Sequence, residues 1–297
     1  MDNLKTIKNR IKTVDSIIKA TNAMKMVSTV KLAKVNNSNK FSKESAGYLF
    51  TMLSKVAKEA LFEQSLDANF WLKRTTGKTL VIILSTEQGF CGSFNQFISE
   101  CSQKTIKQNT GAFVEIFGKK ASHIPFNKAV LKNKYAITDR FDIKATSNML
   151  SKLVLDYVIN HGVFNVFVIS GEFKNVLVQR AKSTQIFPID SVVSSTDPLV
   201  SKADSREQEA EEQYTEIEGN KQKVIEEIFY MYLTKLFTAL VTEHLLSELS
   251  ARTMAMDNSV KNAKDMFEKL STLYNRIRQA KITQELTEIV SSIECIK

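Results

Sequence analysis

The sequence predicts an α/β chain: a long antiparallel two-helix coiled coil built from the two ends, plus a central open α/β sheet. Three observations carry this. No Gly or Pro interrupts residues 220–297, no Gly occurs before Gly47 and no Pro before Pro125. Both terminal segments repeat apolar residues by threes and fours, the period of a helix with one apolar face. Between them, short β-branched runs alternate with amphipathic stretches, the texture of strands joined by helical crossovers.

In the C-terminal segment Met266, Leu270, Leu273, Ile277 and Ala280 step by four, three, four and three, the seam of a two-stranded coiled coil. Beyond Ala280 that register falls on Gln284, and the apolar stripe moves to Ile282, Leu286, Ile289 and Ile293. Such a shift alters the supercoil locally. As continuous helix the segment is roughly 115 Å long at 1.5 Å per residue, a rod whose stripe needs a partner. The N-terminal segment supplies one. Leu4, Ile7, Ile11, Val14, and Ile17 or Ile18 lead into Met24, Val27 and Leu32. Helix is expected from about Asn3 to Leu61, weakest over Asn36–Asn39, where Asn and Ser are poor helix formers. Residues 1–40 hold nine Lys and Arg against two Asp. A parallel homodimer would set two such basic rods side by side, so the pair is expected within one chain. Each seam Leu or Ile buried contributes about 1.5–3 kcal/mol. The expected division is an N-terminal helix over 1–61, a central domain over 78–195 and a C-terminal helix over 205–297.

Thr79–Leu84 (TLVIIL) reads as a buried parallel strand. The turn Ser85–Ser93 leads into a helix over Phe94–Gln108, and Phe113–Phe117 and Val163–Ser170 follow as strands. Met149–Ile159 has a helical pattern, and Thr184–Asp190 is a fourth strand candidate. Asp204–Glu218 carries seven carboxylates against one Arg, the composition of a solvated linker or helix start.

Composition excludes several function classes. The net charge of +9 suits an anionic partner, whether nucleic acid, lipid or acidic protein. The basic rod lacks interleaved aromatics and any reader motif, which disfavours the alternative of a basic coiled-coil nucleic-acid-binding protein. Cys91, Cys101 and Cys295 are odd in number and unpatterned, so reduced thiols of an intracellular compartment are expected. No window is apolar enough to span a membrane.

Phosphate loops fail on position. Gly77-Lys78-Thr79 has the end of a Walker A motif, but its first Gly would fall on Leu72 and it precedes the strand. Gly89, Cys91 and Gly92 lie in a turn that does follow a strand, yet the third Gly of the dinucleotide fingerprint and a basic residue are missing. A tight turn that needs Gly accounts for them. His123, His161 and His244 are scattered and form no metal or triad pattern. No cofactor, metal or catalytic residue is therefore expected.

Three stretches together resemble the gamma subunit of F-type ATP synthases. Ile7–Lys34 (IKNRIKTVDSIIKATNAMKMVSTVKLAK) is similar to that family's opening helix with its I-T-x-A-M-x-M-V core. Ser85–Asn95 (STEQGFCGSFN) resembles the turn S-S-D-R-G-L-C-G-x-x-N. Ser250–Ser292 resembles the C-terminal signature, with RQAKITQELTEIV nearly word for word. Order and spacing match over nearly the whole chain.

The resemblance implies a central-stalk rotor of a proton-driven rotary motor, non-catalytic itself. One copy would turn inside a ring of alternating alpha and beta subunits. A Rossmann-like central domain would meet the epsilon-type subunit and the membrane c-type rotor ring, with no membrane insertion and no nucleic acid. Proton transport would thereby couple to ATP synthesis or hydrolysis. The expected place is the cytoplasmic side of a bacterial plasma membrane, towards which the missing presequence points, or else the matrix side of the mitochondrial inner membrane. Shaft contacts to the catalytic ring carry over to Arg252, Arg278, Gln279 and Thr283, with Met24 and Lys25 on the N-terminal helix. Ile289, Val290, Ile293 and Ile296 would form an apolar tip in a hydrophobic bearing. Solvated Lys and Arg, more than exposed apolar patches, are expected to cover the shaft. Ser93, Ser292, Asn22, Thr253, Cys295 and Ile296 depart from the family pattern.

Overall fold

The computed structural model describes residues 4–62, 77–120, 130–135, 142–175, 178–188 and 221–294. Their elements are α1 (Leu4–Phe62), β1 (Lys78–Leu84), α2 (Phe94–Gln108), β2 (Phe113–Phe117), β3 (Val130–Tyr135), α3 (Ile143–Asn160), β4 (Val163–Phe173), β5 (Gln179–Phe187) and α4 (Lys221–Glu294). They fall into two compact units, one of Met1–Val30 with Arg252–Lys297 and one of Lys31–Ala251. The acidic run Asp204–Glu218 lies outside the described residues.

In the first unit α1 turns inward Leu4, Ile7, Ile11, Val14, Ile18, Thr21, Lys25 and Ser28, an unbroken three-four repeat. On α4 the inward set is Met256, Val260, Ala263, Phe267, Leu270, Tyr274 and Ile277, again stepping by fours and threes as a coiled-coil seam requires. Lys25 Nζ lies 2.5 Å from Asp257 Oδ1. With α1 starting at Leu4 and the inward positions of α4 ending at Ile277, the two numberings run in opposite directions. The pair is antiparallel.

The seam differs in detail from its sequence expectation. Ile18 faces inward and Ile17 outward; Met24, Val27, Met266 and Leu273 are exposed. Both helices carry neighbouring apolar stripes one residue apart, and a one-residue step turns a side chain about 100° around the helix. Apolar content alone leaves that choice open; the partner's position makes it. The polar Thr21, Lys25 and Ser28 stay in the seam because the heptad must continue through them.

The second unit is a five-stranded sheet in the order β3-β2-β1-β4-β5. β1 pairs parallel with β2 and β4, and β2 parallel with β3, whereas β5 runs antiparallel to β4 with Val168 opposite Thr184. The fourth expected strand is thus β5, starting earlier at Gln179 and forming an antiparallel edge. β3 was not foreseen, since its sequence VLKNKY lacks the apolar run of β1. Alternation along β1 builds two cores. Leu80, Ile82 and Leu84 join Leu150, Val154, Phe229, Phe237 and Leu240, while Val81 and Ile83 join Phe94, Ile98, Ile106 and Val114. Glu115 of β2 is fully buried and accepts from the Tyr157 hydroxyl of α3.

α4 is part of this unit's interior. Every residue from Ala239 to Ala251 is buried, including Thr242, Glu243, His244, Ser247 and Glu248. Helix buried on all sides must have its polar groups bonded. The Phe173 N–H donates to Glu243 Oε1 at 3.4 Å, the Ser247 hydroxyl to the Glu172 carbonyl at 3.4 Å and Gln179 Nε2 to Ser250 Oγ at 3.1 Å. Lys43 of α1 completes the Glu243 carboxylate at 3.0 Å.

Candidate functional site

An order of 3-2-1-4-5 reverses direction between β1 and β4, and the carboxyl ends of those strands are where doubly wound sheets hold ligands. Here the chain fills that crevice itself. His244 of α4 is buried, and its Nδ1 accepts from the Gly171 N–H at 3.1 Å. Accepting at Nδ1 leaves the neutral ring's proton on Nε2. Nε2 faces the Ser85 carbonyl at the end of β1 but makes no well-formed hydrogen bond. Burial lowers the His244 pKa to about 4 and the Ser85 carbonyl opposes that shift. The Phe94 ring packs 5.5 Å from the imidazole. A Cβ on Gly171 would stand 2.7 Å from Phe94 Cζ and 2.9 Å from Ser247 Cβ. Among the described residues, His244 and the Phe94 ring thus occupy the crevice between the ends of β1 and β4.

The turn after β1 is held closed by its neighbours. The Ser85 N–H donates to the Phe117 carbonyl at 2.7 Å and the Lys120 N–H to the Thr86 carbonyl at 3.0 Å. Gly118, at φ +102, sits so near that a Cβ would fall 2.3 Å from the Ser85 oxygen. Of the turn residues read from sequence, Cys91 is buried with its Sγ accepting from Asn95 Nδ2 at 3.2 Å, and Gly92 has φ +58. Gly89 has no left-handed backbone, so glycine's freedom is used at Gly92. Phe90, which sequence reasoning passed over, holds φ +61 with its ring 70% exposed. A bulky residue in that region is strained, and its ring gains no burial here in return.

The other candidate residues belong to the first unit. Every described residue from Arg278 to Ile293 is exposed, because α1 has run out and α4 continues alone. Arg278, Gln279 and Thr283 lie at the base of this single helix, the Thr283 hydroxyl donating to the Gln279 carbonyl at 3.0 Å. Ile282, Leu286, Ile289, Val290 and Ile293 are 48–58% exposed, and four of them repeat by four, three and four. Ile296 lies outside the described residues. On α1, Met24 faces solvent while Lys25 turns to Asp257. Arg252 is only 9% exposed, so its guanidinium is not an open surface group.

Solvated Lys and Arg are expected over the shaft more than exposed apolar patches, yet α1 exposes apolar side chains as well. Ile17, Met24, Met26, Val27 and Val30 are all exposed, so over this stretch α1 carries apolar side chains on its outer sides while its seam is polar at Thr21, Lys25 and Ser28. An apolar helix side of this kind is ordinarily enclosed by a partner. Methionines on such a face adapt to shifting contacts. Among the described residues no helix is long and apolar enough to cross a membrane.

Comparison with known proteins points one way. The ATP synthase family profile matches residues 3–296. The ATP synthase gamma chain of Campylobacter lari is 30% identical with the whole of each chain covered. That of a Geobacter species is 31% identical, also over both full lengths. That of Mycoplasmopsis synoviae is 30% identical over 99% of each. Among solved structures, a chain of the Euglena gracilis mitochondrial ATP synthase (OSCP/F1/c-ring) aligns at TM-score 0.62 and 14% identity, covering 99% of this chain and 94% of that one. A chain from the central stalk and c-ring of the Tetrahymena thermophila enzyme aligns at TM-score 0.56 and 21% identity, covering 80% and 98%. At those identities the structural matches establish the fold.

Proposed function

Because this chain belongs to the ATP synthase gamma chain family and is a rotor subunit of the central stalk, we propose that its helix pair turns within a ring of alternating alpha and beta subunits. In this reading the sheet unit engages an epsilon-type subunit and the c-type rotor ring, one copy serving each complex. The chain itself is non-catalytic and carries no cofactor: the plugged crevice between β1 and β4 supports that, and the nucleotide chemistry belongs to the ring. The assembly is peripheral, at the cytoplasmic face of a bacterial plasma membrane.

The observation that carries the reading is the pair of uncovered apolar surfaces on the first unit: Ile17, Met24, Met26, Val27 and Val30 on α1, and Ile282 to Ile293 on the lone end of α4. Left in water they stabilise nothing; enclosed, each large side chain contributes about 1.5–3 kcal/mol. Arg278, Gln279 and Thr283 present polar groups at the root of the apolar tip, where a ring's inner wall would be met, and Arg252, Met24 and Lys25 lie further along. The sheet unit transmits torque because α4 runs through its interior, bonded at Glu243, His244, Ser247 and Ser250.

Leu286→Lys with Ile289→Lys tests this. Both sites are exposed, so the isolated chain's stability should change by no more than about 0.5 kcal/mol. Assembly with alpha and beta subunits, or the torque of single-molecule rotation, should fall. Full assembly with unchanged rotation would show that the tip is not enclosed.

A further inference from the structure

In the sheet unit α1 buries the face that carries Ser42, Ala46, Phe50 and Leu53. Its opposite face is apolar too: Phe41 is 70% exposed and Tyr48 67%, with Met52 exposed on the same side. Together with the half-buried Ser45, positions 41, 45, 48 and 52 step by four, three and four, the spacing of a coiled-coil seam. This second, outward seam is about 16 Å long at 1.5 Å per residue. α4 widens it. Lys43 meets Glu243 and the Phe50 ring meets that of Tyr232, so opposed residue numbers total 282 to 286. Tyr48 is then level with Lys235 and Met52 with Met231, and both α4 residues are exposed.

We propose that this face seats a third helix, contributed by another subunit, with an apolar seam flanked by carboxylates. The inference rests on the reading of the chain as one stalk subunit among others. A lone exposed apolar residue is ordinary, but three large ones on one helix face, joined by Met231 at the same level, mark an interaction surface. Seam spacing selects a helix as the occupant. A strand brings every second residue to one side and falls out of step with this row, whereas a helix meets it with anchors three, four and seven residues apart. Charge selects the flanks. Between Lys31 and Leu53 α1 holds four lysines against Glu44 alone. Lys31 and Lys34 are exposed on the N-terminal side of Phe41, and Lys235 adds a cation level with Tyr48. Such a rim repels a basic helix and favours one with carboxylates beside its seam.

The test places the photoreactive p-benzoylphenylalanine, an aromatic like the tyrosine it replaces, at position 48 of the full chain within the purified complex. Irradiation should give one major product. Peptide mass should identify it as a segment of another subunit whose apolar residues recur by threes and fours with Asp or Glu alongside. Met52→Glu with Met231→Glu changes two exposed sites, so the isolated chain should keep its helix content. The yield should fall roughly tenfold or more, because two apolar anchors are lost; Met52→Leu with Met231→Leu should preserve it. Lys34→Glu with Lys235→Glu should lower the yield as well, and added salt should weaken the parent product. A product within this chain, with a second copy, with lipid, or in a strand or loop would overturn the proposal. So would no product, or a yield indifferent to either glutamate pair. Recovery of alpha and beta subunits in the same preparation checks the stalk reading separately, so failure of one is told from failure of the other.

Discussion

His244 turns acid sensitivity into a quantitative expectation. The imidazole is buried between α4 and the ends of β1 and β4, where burial lowers its pKa from 6.5 to about 4. In the unfolded chain it titrates near 6.5. As pH falls below that value the unfolded state takes up a proton while the folded state does not. The stability from this site is thus whole above 6.5, declines between 6.5 and 4, and has gone once the folded ring also protonates. A difference of about 2.5 pKa units corresponds to about 3 kcal/mol at 1.36 kcal/mol per unit. Protonation would also convert Nδ1 from acceptor to donor, facing it with the Gly171 N–H. His244→Asn places a carbonyl oxygen near the Nδ1 position and does not titrate. It leaves a small void and should be less stable than the parent at pH 7.5. That gap should shrink by about 3 kcal/mol by pH 4. Urea unfolding from pH 7.5 to 4 at fixed ionic strength, followed by near-ultraviolet circular dichroism of tyrosine, measures it. The other titrating groups cancel in the comparison of parent with variant. A constant gap across this range would refute the buried, neutral imidazole.

Two further expectations follow from the packing. Gly118→Ala should destabilise by about 3 kcal/mol or more, since the new Cβ meets the Ser85 oxygen at a left-handed backbone; equilibrium denaturation checks this, and a neutral result would mean that β1 and β2 do not close on each other there. Phe267→Ala should cost about 1–3 kcal/mol as a half-buried seam residue, whereas Met266→Ala should stay within about 0.5 kcal/mol. The opposite ranking would restore the Met266–Leu273–Ala280 seam.

Much of the chain was legible residue by residue, where the governing physics is local. Continuous helix at both ends follows from a three-four apolar repeat with no Pro and no Gly but Gly47 in α1. β1 announced itself as five apolar residues between polar flanks, buried on both faces because helices cover both sides of a parallel sheet. The stripe Ile282–Leu286–Ile289–Ile293 was readable because a fixed helical period places those four side chains on one face whatever lies opposite.

Tertiary structure alone decided what depends on a neighbour. Ile17 and Ile18, or Met266 and Phe267, are equally good seam residues in isolation; the opposing helix selects one of each. β3 is a strand because β2 offers it an edge with Phe113 opposite Val130, since hydrogen-bonded pairing is a property of two strands. The interior of the sheet unit hid for the same reason. Glu243, His244 and Ser247 are polar residues sharing one helix face, and only the β4 backbone that bonds them makes that face part of a core. Periodicity tells which side chains share a face, while burial of that face belongs to whatever the fold lays against it.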